Sequence, residues 1–360
     1  MTKSAKVKIA GAAFLLFVVI GIGYFLWSND SVFSKKEPPN ALVTKTLFKF
    51  DTVISLKLYG DKESEKHLME IEKMLDQIDQ QISMSNHASE IYQVNAAAGK
   101  QAVTVSQSTF DLVKVSVDYA IDTKGAFDPS IGSLVSLWKI GNGGEHPPAA
   151  SLIQQAKSLV NYRDIEMDEK NVTIKLAKAG MSIDLGGIGK GYAADLVANY
   201  LRQEKVESAI IDLGGSSIIA IGSKPTGESW RIGLQDPDRE RGERLAVIQL
   251  QDETIDSSGV YERFFMDNGV RYHHILDPET GSPTQNGIKS VTIIGGTATD
   301  ADVLSTAAVI MGLEDGLAYI QQKPDVEAMF IMEDNKVYVT SGLQGKIKLT
   351  NTRYTVVDTN

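Results

Sequence analysis

The sequence contains no cysteine, and this absence excludes several kinds of chemistry at once. Without thiols there can be no disulfide, no thiolate metal site, no cysteine nucleophile and no lipid-modified cysteine. Catalysis would therefore have to depend on oxygen and nitrogen groups. Positive charge is also scarce, because 36 Lys and Arg stand against 46 Asp and Glu, which gives a net charge of -10. No basic stripe interleaves with aromatic residues, so nucleic acid is not expected as a partner.

The longest apolar run lies at the N-terminus. Three lysines precede a charge-free stretch from Ile9 to Trp27. At about 1.5 Å per residue, this stretch is long enough to cross the hydrocarbon core of a bilayer as a helix. The lysines are expected to remain in the cytoplasm, which places the rest of the chain outside. A cleaved signal peptide is the alternative, although the run exceeds a usual signal-peptide core and no clear cleavage site follows it.

These features predict a single-pass protein of the cell membrane with one large extracytoplasmic domain. The 360 residues, of which 42% are hydrophobic, are sufficient for a sizeable core. We expect a cytoplasmic tail at 1–8, a transmembrane anchor at 9–27, a linker at 28–42 and a globular domain at 43–360.

Hydrophobic periodicity predicts both strands and helices in the first half of this domain. The segment "FKFDTVISLKL" at 48–58 alternates apolar and polar residues and is expected to form one strand. Apolar residues recur every three or four positions at 63–82, which predicts an amphipathic helix. A second helix is expected from Thr109, with Ser108 as N-cap, to a stop at Gly125.

The second half is predicted to be rich in strands. Hairpins are expected around Asn268 and Gly269 and within "EAMFIMEDNKVYVT", and a helix begins in "DADVLSTAAVIMG". Further strands are predicted in "SAIIDLGGSSIIAIG", "LAVIQLQ" and "IKSVTIIGG". Because helices and hairpins mix without regular βαβ spacing, the fold class is expected to be α+β, with mixed, largely antiparallel sheets and packed helices.

A glycine-rich turn, "IDLGGIGKGYAADL", lies between an apolar run and a helical pattern. A P-loop is excluded because Lys190 is followed by Gly191 instead of Ser or Thr, and the dinucleotide fingerprint fails at its third glycine after Gly187 and Gly189. The glycines would still let the backbone approach a ligand closely. A helix that begins near Lys190 would present free N–H groups to an anion such as phosphate. The alternative is a turn selected only for tight packing.

Two other segments carry candidate ligands. Asp302 and Thr306 are four residues apart in a predicted helix, so their oxygen atoms share one face, as a Mg²⁺ site would require. A capping role for Asp302 and a core position for Thr306 are the alternative. His273 and His274 are adjacent on a predicted hairpin strand and must face opposite ways, so at most one of them is expected in a given site.

Six segments in this order make the chain resemble the FAD:protein FMN transferase family, also called ApbE-like. They are "GAFDPSIGSLVSLW", "IDLGGIGKGYAADL", "DLGGSSIIAIG", "SSGVYERFF", "HHILDPETGSP" and "DADVLSTA". The resemblance runs from about Thr44 to the C-terminus and implies an ApbE or T-fold-like architecture. It also implies a Mg²⁺-dependent enzyme that takes FAD, attaches FMN through a phosphoester bond to a Thr or Ser of an extracytoplasmic target protein, and releases AMP.

The same resemblance assigns roles to individual residues. The carbonyl of Gly187 and the side chains of Asp302 and Thr306 match the metal ligands of the family. His274 matches a histidine near the flavin phosphate and would accept the hydroxyl proton. The residues expected to contact FAD are Ala126, Phe127, Asp128, Asp184, Lys190 and His274.

Three positions depart from the family pattern. Phe50 begins "FDT" where the family has Met-Gly-Thr, and His87 lies in a segment two residues shorter than usual. Both are therefore only secondary candidates for flavin-ring contacts. Val260 replaces the usual Asp of the "SGDYER" motif. Two other functions share the same residues: hydrolysis of FAD to FMN and AMP, and membrane-tethered flavin binding without turnover.

Overall fold

The computed structural model describes residues 41–60 and 63–357. The predicted tail and anchor, and residues 28–40 of the predicted linker, lie outside the described residues and stay predictions. Within the described part of the chain, no helix is both long enough and apolar enough to span a membrane. The first strand begins at Ala41, two residues before the predicted start of the domain, and the chain from Leu42 onward forms one compact unit.

The largest sheet in the described part of the chain contains nine strands. All of its pairings from β2 to β15 are antiparallel, and β16 pairs in parallel with β15. In spatial order the strands are β1 (Ala41–Lys49), β2 (Thr52–Gly60), β6 (Ala209–Leu213), β7 (Ser217–Ile221), β10 (Thr254–Gly259), β13 (Ile288–Gly295), β14 (Val326–Met332), β15 (Lys336–Val339) and β16 (Thr355–Val357).

Three small antiparallel sheets surround the large one. They are β3 (Val103–Thr104) with β5 (Thr173–Leu176) and β4 (Ile165–Asp168), the ribbon of β8 (Trp230–Gln235) and β9 (Arg244–Leu250), and the hairpin of β11 (Phe264–Asp267) and β12 (Val270–His273). The hairpin turns at Asn268 and Gly269, both with positive φ, as the sequence predicts. The α+β class with largely antiparallel sheets is thereby confirmed.

The two faces of the large sheet are covered differently. Alternate strand residues such as Ile219 and Ile293 pack under helices, whereas their neighbours Ile218 and Ile294 pack under the β8–β9 ribbon. The helices in the described part of the chain are α1 (Glu63–Ile82), α2 (Glu90–Ala96), α3 (Gln107–Asp122), α4 (Gly132–Trp138), α5 (Ala150–Lys157), α6 (Gly189–Gln203), α7 (Ala298–Met311) and α8 (Leu313–Ile320).

Two local predictions are wrong in detail. The single strand expected at 48–58 is divided into β1 and β2, because Phe50 and Asp51 adopt left-handed φ values of 52° and 55° and turn the chain. Helix α3 begins two residues earlier than predicted, and its N-cap is Ser106 instead of Ser108. Ser106 has an extended backbone, and its hydroxyl accepts a hydrogen bond from the N–H of Thr109. The helix ends at Asp122, short of the predicted stop at Gly125.

Helices α6 and α7 bring the candidate residues together. Helix α7 is buried almost all round, since it packs on α6, on α8 and on strands β10 and β13. Its N-terminus carries a capping box formed by Thr297 and Asp300. A second cap comes from α6, where the Asp195 carboxylate accepts hydrogen bonds from the N–H groups of Ala298 and Thr299 at 2.9 and 2.8 Å. These bonds fix the two helices in register with each other.

Candidate functional site

The glycine turn serves first to let two helices meet. A Cβ added at Gly191 would lie 2.1 Å from the carbonyl oxygen of Ala298 and 2.8 Å from Cβ of Asp302. A Cβ added at Gly189 would lie 2.6 Å from Cδ1 of Ile82. Real Cβ atoms do not approach neighbours this closely, so Gly191, which faces backbone atoms, requires glycine for packing, whereas at Gly189 the end of the Ile82 side chain would have to move. Tight packing is therefore one reason for glycine at position 191.

The N-terminal turn of α6 does bind an anion, but the anion is a side chain of the protein. The N–H of Gly191 donates to Oδ2 of Asp302 at 2.9 Å. Asp302 is 2% exposed and lies in the second turn of α7, two residues beyond the capping Asp300. For this N–H group, the expectation that it faces a phosphate is wrong, because the close approach of the helices brings a carboxylate to it first.

Lys190 completes the partners of Asp302. Its ammonium lies 2.9 Å from Oδ1 of Asp302 and is about a quarter exposed. Burial alone would lower the pKa of Lys190, but the charges of Asp302 and Asp256 outweigh it and raise the pKa. Lys190 is therefore a protonated cation at the start of α6, held beside a buried carboxylate.

Thr306 and Gly187 lie on the same side of α7 as Asp302. Thr306 follows Asp302 by one helical turn, and its hydroxyl is 3.1 Å from Oγ of Ser258 on β10. A Cβ added at Gly187 would lie 3.7 Å from Oγ1 of Thr306, which is ordinary contact distance. The three predicted metal ligands are thus brought together by α7 and the turn before α6.

The "GAFDPS" segment lies against this turn. The ring of Phe127 is buried, and its Cε2 would be 3.2 Å from a Cβ at Gly187. The N–H of Asp184 donates to the carbonyl of Pro129 at 2.8 Å, which joins the two segments. Ala126 is half-buried beside Phe127. The segments expected to contact FAD are therefore neighbours in the fold.

The two aspartates of these segments hold the backbone around them. Asp128 is 7% exposed, and its oxygens accept from the N–H and hydroxyl of Ser130 and from the N–H of Tyr162. Burial raises the pKa of Asp128, and these donors oppose the rise. Asp184 accepts from the N–H of Gly186 at 2.6 Å, and burial also raises the pKa of Asp184. Their expected contacts with FAD stay predictions, whereas their role in shaping the two loops follows from these bonds.

The adjacent histidines differ in the way that the strand pattern predicts. His273 is buried at the end of β12, where its Nε2–H donates to the carbonyl of Thr284 at 2.8 Å. His274 follows the strand and is half-buried. Its Nδ1 is 3.3 Å from the carbonyl of Arg263, and a carbonyl can only accept, so Nδ1 carries the hydrogen. The lone pair of neutral His274 is therefore on Nε2.

His274 is held in its neutral form. Burial lowers the pKa of His274 to about 3, and the positive charges of Arg263 and Lys190 contribute to the shift. Lys190 and His274 are therefore close enough for their charges to interact. The charges of Arg263 and Lys190 thus act on His274, and its ring is in the base form at neutral pH.

Phe50 and His87 have local contacts within the protein. The N–H of Phe50 donates to Asp79 at 3.2 Å, and the ring of His87 stacks on Tyr92 with ring centres 4.4 Å apart. Val260 is buried in an apolar cluster that includes Ile275. An apolar residue at position 260 is therefore part of the core beneath α7.

The sequence interpretation assigned no role to Arg263 or Asp256. Arg263 lies within the quoted segment "SSGVYERFF", and its positive charge acts on His274, Lys190 and Asp184. Asp256 is on β10, directly beneath α7, and is 1% exposed. A signal for Asp256 is present in the sequence, since "TIDSSG" places an acid within a strand between apolar and small residues.

The donor set fits a hard cation. A carboxylate, a hydroxyl and a backbone carbonyl are oxygen ligands of the kind that Mg²⁺ takes, and Mg²⁺ commonly completes its shell with water and substrate phosphates. Within residues 41–60 and 63–357, no group of three or more His, Asp or Glu side chains gathers as a metal cluster. A cation at Asp302 and Thr306 would therefore depend on neutral oxygen atoms and phosphate in addition to one carboxylate.

Comparison with known proteins agrees with this arrangement. The sequence matches the ApbE family over residues 50–330. It is 33% identical to a FAD:protein FMN transferase of Klebsiella pneumoniae, over 85% of this chain and 94% of that protein. It is also 33% identical to a FAD:protein FMN transferase of Treponema pallidum, over 84% of this chain and 88% of that protein.

Solved structures give the same result. The ApbE protein of Thermotoga maritima superposes with a TM-score of 0.77 and 31% identity, covering 84% of this chain and 98% of that one. The flavin transferase ApbE of Vibrio cholerae superposes with a TM-score of 0.75 and 28% identity, covering 85% and 99%. Family match, sequence identity and superposition all extend across the segments that form the site, and the chain therefore belongs to the ApbE family.

Proposed function

We propose that this protein is a flavin transferase that uses FAD and Mg²⁺ to attach FMN to a Thr or Ser of a target protein, with release of AMP. The observation that carries the proposal is the convergence of Asp302, Thr306 and Gly187 beside Lys190, at the junction of α6 and α7. The relatives named FAD:protein FMN transferase support the choice of substrate.

The reaction replaces one phosphorus–oxygen bond with another. The hydroxyl oxygen of the target residue bonds to the phosphorus of the FMN half, and the bond from that phosphorus to the bridging oxygen breaks. The bridging oxygen leaves with AMP, and the hydroxyl proton must go to a base. Catalysis of such transfers depends on positioning and on neutralising charge at the phosphates. The ammonium of Lys190 is placed to supply part of that positive charge.

His274 is the proposed base. Its Nδ1–H is directed to the carbonyl of Arg263, so the hydroxyl proton would be accepted at Nε2. The low pKa of His274 keeps the ring unprotonated before substrate binds. Two phosphate groups beside the ring would raise this pKa, because nearby negative charge favours the protonated form.

Asp302, Thr306 and the carbonyl of Gly187 would hold the magnesium ion. When bound, Mg²⁺ would supply positive charge for the diphosphate oxygens. Phe127, Ala126 and the turn at Asp184 would form the wall against which FAD lies. Asp128 would act on this wall through the backbone bonds that it accepts from Ser130 and Tyr162.

The proposed location is the outer side of the cell membrane, with the catalytic domain tethered by the charge-free run from Ile9 to Trp27. The target protein would then carry its acceptor Thr or Ser on the same side. Two measurements test this placement. Cell fractionation shows whether the protein is found with the membrane, and protease added to intact cells shows whether the domain is accessible from outside. Protection of the domain from the protease would contradict it.

One experiment separates transfer from its alternatives. The full-length protein is mixed with FAD, MgCl₂ and a candidate extracytoplasmic flavoprotein domain, and the masses of all products are measured. Transfer predicts that the acceptor gains the mass of FMN while AMP appears. FMN and AMP without a change in the acceptor would indicate FAD hydrolysis, and the absence of AMP would indicate flavin binding without turnover.

A further inference from the structure

A second buried carboxylate lies beneath the cation site and takes no part in the proposed reaction. Asp256 on β10 is 1% exposed, and its Oδ1 accepts from the hydroxyl of Ser305 at 2.9 Å. Its Oδ2 is buried without a hydrogen-bond partner among the described residues. Ser217, directly opposite on β7, has a buried hydroxyl that stabilises the charged form of this carboxylate, but the two groups do not meet in a hydrogen bond of normal length and geometry. A buried carboxylate oxygen without a donor is costly, so its retention requires a physical reason.

The ammonium group of Lys190 is paired with Asp302, and its charge also acts on Asp256. Burial and the negative charge of Asp302 both raise the pKa of Asp256. The cluster of Asp256, Asp302 and Lys190 thus places two buried carboxyl groups near one ammonium group that is about a quarter exposed.

Occupation of the site by a divalent cation would change these pairings. In the metal-free protein, the ammonium of Lys190 donates a hydrogen bond to Oδ1 of Asp302, and the N–H of Gly191 donates one to Oδ2. A cation that binds to this carboxylate must compete with the ammonium, since two positive charges within a few ångströms repel strongly in a buried site. The four-carbon stem of lysine is flexible enough to carry its ammonium to a neighbouring acceptor. The unpartnered Oδ2 of Asp256 is such an acceptor.

We propose that Asp256 is a positioning residue that receives the ammonium of Lys190 when Mg²⁺ binds to Asp302. This inference rests on the proposed function, because it takes Asp302 as a metal ligand. Asp256 keeps the lysine charge inside the site, next to the diphosphate, and frees Oδ1 of Asp302. The oxygen without a donor in the metal-free protein is thereby satisfied in the metal-bound protein.

The first test measures the affinity for the metal alone. MgCl₂ is titrated by calorimetry into the native full-length protein and into Asp256→Asn, which keeps the shape of the side chain and an acceptor for Ser305. The dissociation constant for Mg²⁺ should rise about tenfold or more, as for other residues that support a metal ligand. Ser208→Ala, which removes another buried hydroxyl that lacks a hydrogen-bond partner among the described residues, should leave the Mg²⁺ dissociation constant within about twofold.

The second test asks whether Asp256 acts through Lys190. In a Lys190→Met background there is no ammonium to receive, so Asp256→Asn should change the Mg²⁺ dissociation constant by much less than in the native background. An equal change in both backgrounds would show that Asp256 acts directly on the cation and would overturn the proposal. A crystal structure of the native protein with MgCl₂ gives an independent measure that needs no variant. The ammonium of Lys190 should then be hydrogen-bonded to Oδ2 of Asp256. An ammonium that is still hydrogen-bonded to Asp302 with Mg²⁺ present would contradict the proposal.

The outcomes separate this proposal from the function on which it rests. If the native protein binds Mg²⁺ neither alone nor in the presence of FAD, the proposed metal site is wrong, and the role of Asp256 fails with it. If the native protein binds Mg²⁺ and Asp256→Asn binds it equally well, only the role of Asp256 is overturned.

Discussion

The backbone N–H of Gly191 donates a hydrogen bond to the carboxylate of Asp302, 111 residues later in the chain, at 2.9 Å. This bond joins the start of one helix to the second turn of another, and it depends on the absence of a side chain at position 191. The helix dipole and the glycine contact therefore act together on one buried acid. The position of the candidate cation ligand depends on this contact.

Replacement of Gly191 by alanine tests the contact directly. The new Cβ would meet the carbonyl of Ala298 at 2.1 Å, so the helices must separate and Asp302 must shift. We expect Gly191→Ala to lose about 2 kcal/mol or more of unfolding free energy. Urea denaturation measures the loss. Gly187→Ala is the matched control, because its Cβ would meet only Phe127 and Thr306, at 3.2 and 3.7 Å. Equal stability of the two variants would contradict the packing argument.

Replacement of Asp302 by alanine should remove the dependence on magnesium. The variant loses the carboxylate, which leaves the ammonium group of Lys190 without its hydrogen-bonded partner. We expect flavin transfer to fall to background at every MgCl₂ concentration, with a stability loss of about 3 kcal/mol from the broken buried pair. Transfer is measured as the gain in mass of the acceptor protein at several MgCl₂ concentrations. Stability is measured as the free energy of unfolding in urea. An unchanged metal requirement in a folded variant would show that Asp302 is not a ligand.

Replacement of His274 by alanine should separate binding from transfer. The ring is proposed to accept a proton at Nε2, and its loss would leave the proposed phosphate contacts of Lys190 in place. FAD affinity, followed by flavin fluorescence, should change by less than about threefold, while the transfer rate falls by about 100-fold or more. His146→Ala is the control, because His146 is exposed and pairs with Asp267 on the hairpin. Full transfer by His274→Ala would remove this residue from the role of base.

Because His273 is buried in its neutral form, we expect the protein to lose stability in mild acid. Burial lowers the pKa of His273 below its ordinary value of 6.5, and Arg271 contributes to the shift. At a pH between the lowered pKa of His273 in the folded protein and its ordinary pKa in the unfolded chain, only the unfolded chain binds a proton at this residue. The contribution of His273 to stability is therefore complete above about pH 6.5 and declines as the pH falls. The decline attributable to His273 is at most about 1.4 kcal/mol for each pH unit.

The measurement is the free energy of unfolding at several values between pH 5 and pH 8. The free energy of unfolding should change less with pH in His273→Asn than in the native protein, because Asn does not titrate in this range. His67→Asn, which replaces a half-buried histidine on α1, is the matched control. Equal slopes for all three proteins would exclude His273 as the source.

Much of the fold follows from local patterns. The helix at 63–82 and the hairpin at Asn268–Gly269 are where periodicity and turn chemistry predict them. The errors fall at element ends. The left-handed conformation of Phe50 is not favoured by its residue type, and two serines, Ser106 and Ser108, compete to cap α3. Such choices are decided by tertiary contacts, for example the bond from the N–H of Phe50 to Asp79 on α1.

By itself, the sequence determined which chemical groups could act, because those depend on residue type and on spacing along one helix or turn. The absence of thiols, the one-turn separation of Asp302 and Thr306, and the glycines before α6 are all of this kind. Only the tertiary structure decided which partner each group has. Gly191 binds Asp302, and Asp256 lies beneath the same helix, because packing of distant segments brings their atoms within bonding distance. Hydrogen bonds and charge pairs act over a few ångströms, and the chain order does not specify those distances.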